Sequence, residues 1–505
     1  MVAAPSNPEM GECQGMGVGM IEGENMGGVL SDPRTDSPGN ILRDAVVFLA
    51  GCLGLATILY WLVIDAFFVF DSISILSLVS DREGGLAACW RPMSNGFWRP
   101  LPLSLMWLMV TLFGHSPIAC NAVPVFFHAL NGVLLRCVAT RMGWPRWAAT
   151  AGGVFFVAHF AAFPAVSTMQ NIMDVMLGTV ALATLCVILH PTGSGLWWRL
   201  SGLFLVGLMT KETAVVIPWL AAAWWWAASP HHQNSSDKSG RRTIATLCVL
   251  SLLAAIVILK LQSTSRHSYL FQGKLGADPL TIVRQVLDYL LSTVFPFIHI
   301  AVMPYKHIEM PHVALWALRF GVAAFLGFLA WRAIMKKDRW PLALAGGALL
   351  LVLPPSVAST TPEGRFVYAA IAPVVLLGGE LLRRIHGAIP GRMVIMGVLA
   401  STAFSVWAFA CSPTVREYRR LADEVEAFVA EARRLAPTWK AGCHISIYGH
   451  PLPGTEQFRW AYCQQLFLNF VPEAQITVVI DRTTHKTCHA YQFQYRRLVP
   501  VDFVK

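Results

Sequence analysis

The chain has 505 residues, 55% of them apolar and only 13% charged, with a mean hydropathy of +0.53. A soluble protein carries about 25% charged residues and a disordered one is poor in Leu, Ile, Val and Phe, so both classes are excluded, as are a disulfide-stapled miniprotein by length and a repeat array by the lack of a period. The net charge of +10 is not gathered into a basic domain and no aromatic RNA-binding motif accompanies it, so nucleic acid is not an expected partner. What remains is a polytopic membrane protein with a modest soluble portion, in which surplus Lys and Arg belong to cytoplasmic loops.

Residues 1–43 are rich in Gly, Met and Pro and read as a disordered cytoplasmic tail. Gly15-Met16-Gly17-Val18-Gly19 faintly resembles a phosphate loop, but no strand precedes it and no helix follows. No basic n-region opens the chain, so a cleaved signal peptide is not expected. Spans are expected near 44–64, 117–139, 145–163, 172–190, 243–261, 313–335, 340–357, 364–382 and 393–411, because each is about as long and apolar as a crossing requires. Residues 197–229 read as two short helices meeting at Lys211-Glu212, which brings the total to about eleven.

Charge decides two ambiguous stretches, 99–113 and 281–300. If neither crosses, Arg136, Arg141, Arg146, Lys238, Arg241, Arg242, Lys336, Lys337, Arg339, Arg383, Arg384 and Arg392 all fall on the cytoplasmic side, the positive-inside pattern. Both stretches then lie in the outer interface, where Trp98, Trp107, Tyr289 and Tyr305 fit. The outer face carries loops 65–116 and 262–312, short turns at 164–171, 211–212 and 358–365, and the C-terminus. The expected fold class is therefore an all-α polytopic membrane domain, 44–411, followed by a small α+β extracytoplasmic domain, 412–505. In that domain 414–435 has helical periodicity with alternating charges, and His444–Tyr448 and Ile476–Ile480 read as strands. Cys443, Cys463 and Cys488 there, with Cys89 in the first loop, are open to disulfide formation or to plain burial as thiols, and no Cys/His spacing suggests zinc.

Ionisable residues at the membrane boundary are costly unless paired or functional. Asp71, with Asp65 shortly before it, is either a general base for a hydroxyl or a solvated helix end. Arg99, in Phe97-Trp98-Arg99-Pro100-Leu101-Pro102, is either an anionic head-group ligand or an interface anchor. His159 and Asp174 bracket the turn that carries Gln170 and Asn171. His159 on its own reads as a satisfied core histidine, whereas Asp174 needs a partner or water. Lys211 and Glu212 are adjacent and so face different partners, with Lys211 either a phosphate ligand or part of an ion pair with another span. Arg365, in Glu363-Gly364-Arg365-Phe366-Val367-Tyr368, is either a phosphate ligand or a helix N-terminus.

In order and spacing these motifs, together with His128-Ala-Leu-Asn131, resemble the GT-C superfamily of integral-membrane glycosyltransferases that use polyprenyl-phosphate sugars, with the protein O-mannosyltransferase-like branch most alike. The resemblance covers about 44–411. It implies Asp71 as catalytic base, Arg365, Lys211 and Arg99 as ligands of the donor phosphate, and Asp174 as a residue beside the active site; His159, Glu212, Tyr368 and Asp65 are further candidate active-site residues. It implies a polyprenyl-phosphate sugar donor, a protein, lipid or glycan acceptor, and no assigned metal ligand, with magnesium or manganese the one cofactor left open. Where many relatives have a second acid, a Pro after the His and a Gly-Arg pair, this chain has Ser72, Phe160 and Asn171-Ile172, and no tetratricopeptide repeats follow residue 411. The expected function is glycosyl transfer with inversion at the extracytoplasmic face of a bacterial inner membrane, N-terminus cytoplasmic and C-terminus extracytoplasmic. The competing readings are a lipid or solute transporter and an inactive scaffold of the same fold. A soluble nucleotide-sugar transferase is disfavoured, since no nucleotide-binding strand–loop–helix pattern is visible.

Overall fold

A computed structural model of the chain describes residues 38–69, 71–80, 84–93, 96–190, 195–228, 236–264, 278–294, 312–336, 338–358, 364–385, 391–438, 444–448, 477–479, 489–494 and 497–500. Tyr305, Glu363, Cys443, Cys463 and Cys488 lie outside the described residues. The chain divides into two units, 1–45 and 46–505, and the fold that follows is that of the second.

In chain order the helices are α1 (Pro38–Ile64), α2 (Asp71–Val79), α3 (Gly85–Ala88), α4 (Pro100–Phe113), α5 (Pro117–Arg141), α6 (Arg146–Ala158), α7 (Phe163–Val166), α8 (Ile172–Leu189), α9 (Leu196–Thr210), α10 (Ile217–Ala228), α11 (Ser236–Thr264), α12 (Pro279–Val294), α13 (His312–Lys336), α14 (Arg339–Ala358), α15 (Tyr368–Ile385), α16 (Gly391–Cys411) and α17 (Pro413–Leu435). Short 3-10 turns at Phe160–Ala162, Met169–Asn171, Glu212–Val216 and Gly364–Val367 separate or open several of them. Among the described residues seven helices are long and apolar enough to cross a membrane, or eight if the bent pair Arg146–Ala158 and Phe160–Val166 counts as one span. The protein is an integral membrane protein. The expected total of eleven is not reached by this measure, partly because α9 and α10, at 15 and 12 residues, are too short to cross singly.

Helix ends follow local chemistry. Ser116 caps α5 by accepting from Ala119 N, with Pro117 in the first turn. At its other end Gly143 adopts φ +82°, and Gly143 N and Trp144 N donate to the carbonyls of Thr140 and Ala139. That reversal needs the left-handed backbone that glycine adopts without strain, and it sends the chain directly back as α6. The two antiparallel helices touch backbone to backbone. A Cβ on Gly153 would sit 2.7 Å from Gly132 O and 2.9 Å from Phe48 Cζ, the close approach that small residues permit in membrane bundles.

Two of the elements expected on the outer face differ from expectation. The 164–171 segment, read as a short turn on the outer face, is buried, as is every residue from 156 to 175. Two of its polar side chains find partners inside the protein: Asn171 Nδ2 donates to Pro164 O at 2.7 Å, and Gln170 Oε1 accepts from Ser72 Oγ at 3.1 Å. Tyr289 is fully buried rather than interfacial, because α12 turns Gln285, Val286, Tyr289, Leu290 and Leu291 onto the bundle. Its Asp288 forks onto Arg319 of α13 at 2.7 and 2.9 Å. Trp98 does stay exposed, donating to Trp90 O.

α17 buries Val415, Tyr418, Leu421, Ala422, Val425, Phe428, Val429 and Ala432 on one face, and its other face carries ion pairs such as Arg420–Glu417 and Arg434–Glu431. Beyond it the strands β1 (His444–Tyr448), β2 (Thr477–Val479), β3 (His489–Gln494) and β4 (Arg497–Pro500) form a sheet in the order β2-β1-β3-β4. β1 is parallel to β2 and β3, with Ile445 opposite Val478 and His489, and β4 is antiparallel to β3. Cys89 is a buried free thiol.

The glycine contact gives a direct test. Gly153→Ala should cost about 1–3 kcal/mol through overpacking and lower the melting temperature in detergent. Gly51→Ala, where nothing lies within 4 Å of the added Cβ, should not. Equal melting temperatures for the two variants would mean that α5 and α6 are not in backbone contact.

Candidate functional site

The site is built where helices stop. His159 leaves the helical backbone at the end of α6, and its Nδ1 accepts from Ala161 N at 3.3 Å. Thr168 is extended ahead of the turn that opens α8. Lys211 is extended between Thr210 and Glu212, followed by a 3-10 turn and Pro218. Arg99 precedes Pro100 at the start of α4, and Arg365 lies in the turn that opens α15. Each break frees backbone polar groups, which inside a bilayer are tolerated only within protein or along a cavity.

These breaks meet. Lys211 Nζ pairs with Asp174 Oδ1, both residues being 5% exposed or less. The same ammonium stands over the Phe366 ring, 4.7 Å from its centre. Arg365 Cζ lies 5.1 Å from that centre, and its Nη1 donates to Asn171 Oδ1 at 2.9 Å. Glu212 turns the other way from Lys211 and is gripped by the Arg99 fork, Nε to Oε2 at 2.9 Å and Nη2 to Oε1 at 2.6 Å. Arg99 Nη1 points to Met173 Sδ. The charges of Asp174, Glu212, Arg99 and Arg365 all reach Lys211. Tyr289 meets Phe366 edge-on, with ring centres 6.4 Å apart.

Arg99, Lys211, Glu212, Asp174 and Arg365 are thus brought together among the described residues. One positive charge is in excess among these five side chains, and Arg99, Asp174 and Arg365 lie at the starts of α4, α8 and α15, the positive ends of the helix dipoles. The arrangement suits an anion with several oxygens.

Asp71 opens α2, but its side chain lies outside the described residues. Its backbone is held close to the cluster on both sides. Asn121 Nδ2 donates to the carbonyls of Ile64 and Ala66, Asn121 Oδ1 accepts from Met169 N, and Ser72 bonds Gln170, the neighbour of Asn171. Three expected site residues stand apart. Asp65 pairs with Arg419 of α17. His159 caps a helix break, packed edge-on against Phe155. Tyr368 turns inward to His128 and Asn131, away from Arg365.

Phe366, Asn171 and Gln170 were missed as site members. Their signals were present: an aromatic residue directly after the arginine, and an amide pair inside an apolar run. Among the described residues no group of three or more His, Cys, Asp or Glu can hold a metal ion. Both described carboxylates of the site are engaged by cations.

No protein-family model and no curated protein matches the chain. Among solved structures it is similar to ArnT from Cupriavidus metallidurans bound to undecaprenyl phosphate, with TM-score 0.46 and 14% identity over 86% of this chain and 89% of that one. ArnT in the apo state gives TM-score 0.42 and 16% identity over 87% and 90% of the two chains. The Archaeoglobus fulgidus oligosaccharyltransferase in its apo form gives TM-score 0.46 and 10% identity over 86% of this chain and 64% of that one. At that level of similarity neither a common fold nor a common activity follows.

The Lys211–Asp174 pair makes its own forecast. Removing one member of a buried pair strands the other charge, at a cost of about 3–5 kcal/mol, whereas replacing both with uncharged groups costs far less. Asp174→Asn and Lys211→Met should each lower the melting temperature in detergent more than the double variant does. Additive losses would show that the two side chains are not paired.

Proposed function

We propose that the protein is a membrane glycosyltransferase that moves a sugar from a polyprenyl-phosphate donor to an acceptor hydroxyl, on the extracytoplasmic side of a bacterial inner membrane. The reading is carried by one observation: Arg99, Asp174, Lys211, Glu212 and Arg365, drawn from four separate chain segments, meet through two ion pairs, with Lys211 and Arg365 both against the Phe366 ring. The sequence resemblance assigns its phosphate ligands within this set.

In the proposed reaction Arg365 and Lys211 hold the donor phosphate, and Arg99 tethers Glu212 at the margin. Asp71 takes the proton of the acceptor hydroxyl. The acceptor oxygen bonds to the anomeric carbon from the face opposite the phosphate, the bond from that carbon to the phosphate oxygen breaks, and polyprenyl phosphate leaves with the bonding electrons. Configuration at that carbon inverts. The cations act on the charge that grows on the departing phosphate, the kind of electrostatic help that is usually the largest catalytic contribution.

The helix breaks also favour a second reading, a lipid or solute transporter, because discontinuous helices frame many transport sites. Transport requires alternating access, whereas transfer requires a pocket open on one side only. Labelling of single cysteines placed around Phe366 from each side of the membrane separates the two. Labelling from one side alone is expected.

General base help is worth about 10²–10⁴-fold, so Asp71→Asn should lower transfer from a labelled polyprenyl-phosphate sugar at least about a hundredfold while the protein still inserts and binds polyprenyl phosphate. Near-normal turnover would remove Asp71 from the role. Binding without turnover in the unaltered protein would point to an inactive scaffold.

A further inference from the structure

One buried polar group of side chains takes no part in the cluster. It lies in the interior between α5, α6, α8 and α15, and His128, Asn131 and Tyr368 in it are all 1% exposed or less. His128 Nε2 is 3.0 Å from Val157 O, and His128 Nδ1 is 2.8 Å from Tyr368 Oη. A carbonyl oxygen only accepts, so Nε2 carries the proton and Nδ1 accepts from the tyrosine hydroxyl. The same hydroxyl accepts from Asn131 Nδ2 at 3.0 Å, and Asn131 Nδ2 also donates to Val175 O at 3.0 Å. Asn131 Oδ1 accepts from Thr179 Oγ1 at 2.7 Å. The bonds among His128, Tyr368 and Asn131 therefore run in one direction, and Thr179 Oγ1 also lies 3.2 Å from Val175 O.

The places where this network is anchored matter. Val157 lies in the last turn of α6, and the Ala161 amide that a continuous helix would send back to it is bonded to His159 instead. Val175 and Thr179 are in the opening turns of α8, directly after Asn171 and Asp174. Tyr368 is the first residue of α15, three residues after Arg365 and two after Phe366. The ring of Tyr368 also lies against Gly178, where a Cβ would come within 2.9 Å of Cε1, and stacks edge-on with Phe156. α5 supplies no side chain to the charged cluster, yet it holds in register the segments that carry Asn171, Asp174 and Arg365.

We infer that Tyr368 is a positioning residue: bonded to His128 and Asn131, its hydroxyl fixes the turn that opens α15 so that Arg365 meets Asn171 and Phe366 meets Lys211. This rests on the reading of Arg365 as a phosphate ligand for its effect on binding, and on the geometry alone for its effect on the turn. Two readouts on the full chain in detergent keep these apart.

The first is hydrogen exchange in peptides covering 364–372. Tyr368→Phe keeps the ring and removes the hydroxyl, and exchange there should quicken at least about tenfold, with smaller effects in Thr179→Val, which loosens Asn131 alone. Thr184→Val, which deletes a buried hydroxyl of α8 bonded only within its own helix, should change nothing at 364–372. The second readout is affinity for a short-chain polyprenyl phosphate. Tyr368→Phe should weaken it about tenfold in the native background and not further when Arg365→Ala is already present, the non-additivity of residues that act through one another. Unchanged exchange at 364–372 in both Tyr368→Phe and Thr179→Val, or an equal affinity loss on both backgrounds, overturns the inference. If exchange quickens as expected but the unaltered protein binds no polyprenyl phosphate, the positioning role stands and the phosphate reading falls.

Discussion

An ammonium and a carboxylate face one another where neither can reach bulk water, and the architecture around Lys211 and Asp174 follows from that. Isolated charges in such a setting carry penalties of several kcal/mol each, so each must find an opposite charge or a ring face. Lys211 has both, Asp174 on one side and Phe366 on the other. To deliver these groups to one point the chain must interrupt α9 at Lys211, begin α8 just before Asp174 and begin α15 just after Phe366. The interruptions in turn expose backbone groups that can only be accommodated inside protein. Charge burial and broken helices therefore arise together at this end of α8 and α15. At the far ends charge is buried within unbroken helix: Glu380, 1% exposed, is bound by Arg383 and Arg384 of its own helix, and Arg141 bonds the Cys186 carbonyl.

How far the sequence discloses this depends on the type of signal. α17 is legible because 3.6-residue periodicity and charge spacing coincide, and its apolar face and ion pairs lie where that pattern puts them. The long spans are legible from length and apolarity. Lys211 and Glu212 are legible as serving different partners, since neighbours on a backbone point apart, and Asp174 and Arg99 are those partners. Burial of polar residues is not legible in the same way. Gln170 and Asn171 look like a loop because amides favour loops, and only the carbonyl of Pro164, the hydroxyl of Ser72 and the guanidinium of Arg365 explain why they are buried. Tyr289 misleads for a related reason: an amphipathic helix displays the same pattern whether its apolar face meets lipid or protein.

Tyr368 and Arg365 show why proximity in sequence is a poor guide to shared work. They are three residues apart, yet one faces the charged cluster and the other the interior network. In the sequence the pair reads as one motif. In the structure it reads as a ligand and its mounting, joined by the turn that opens α15. The motif His128-Ala-Leu-Asn131 acquires a reason in the same way, since residues three apart on α5 share a face and there grip a single hydroxyl.

The central claim is that the cluster around Phe366 is a phosphate site. The most direct measurement is an experimental structure of the full chain with polyprenyl phosphate, solved well enough to place the phosphorus atom. The account requires the phosphate oxygens to lie within hydrogen-bond reach of Arg365 and Lys211, with the lipid tail passing between helices. A phosphate bound at the far end of α8 and α15, or a lipid that leaves Arg365 and Lys211 untouched, would contradict it.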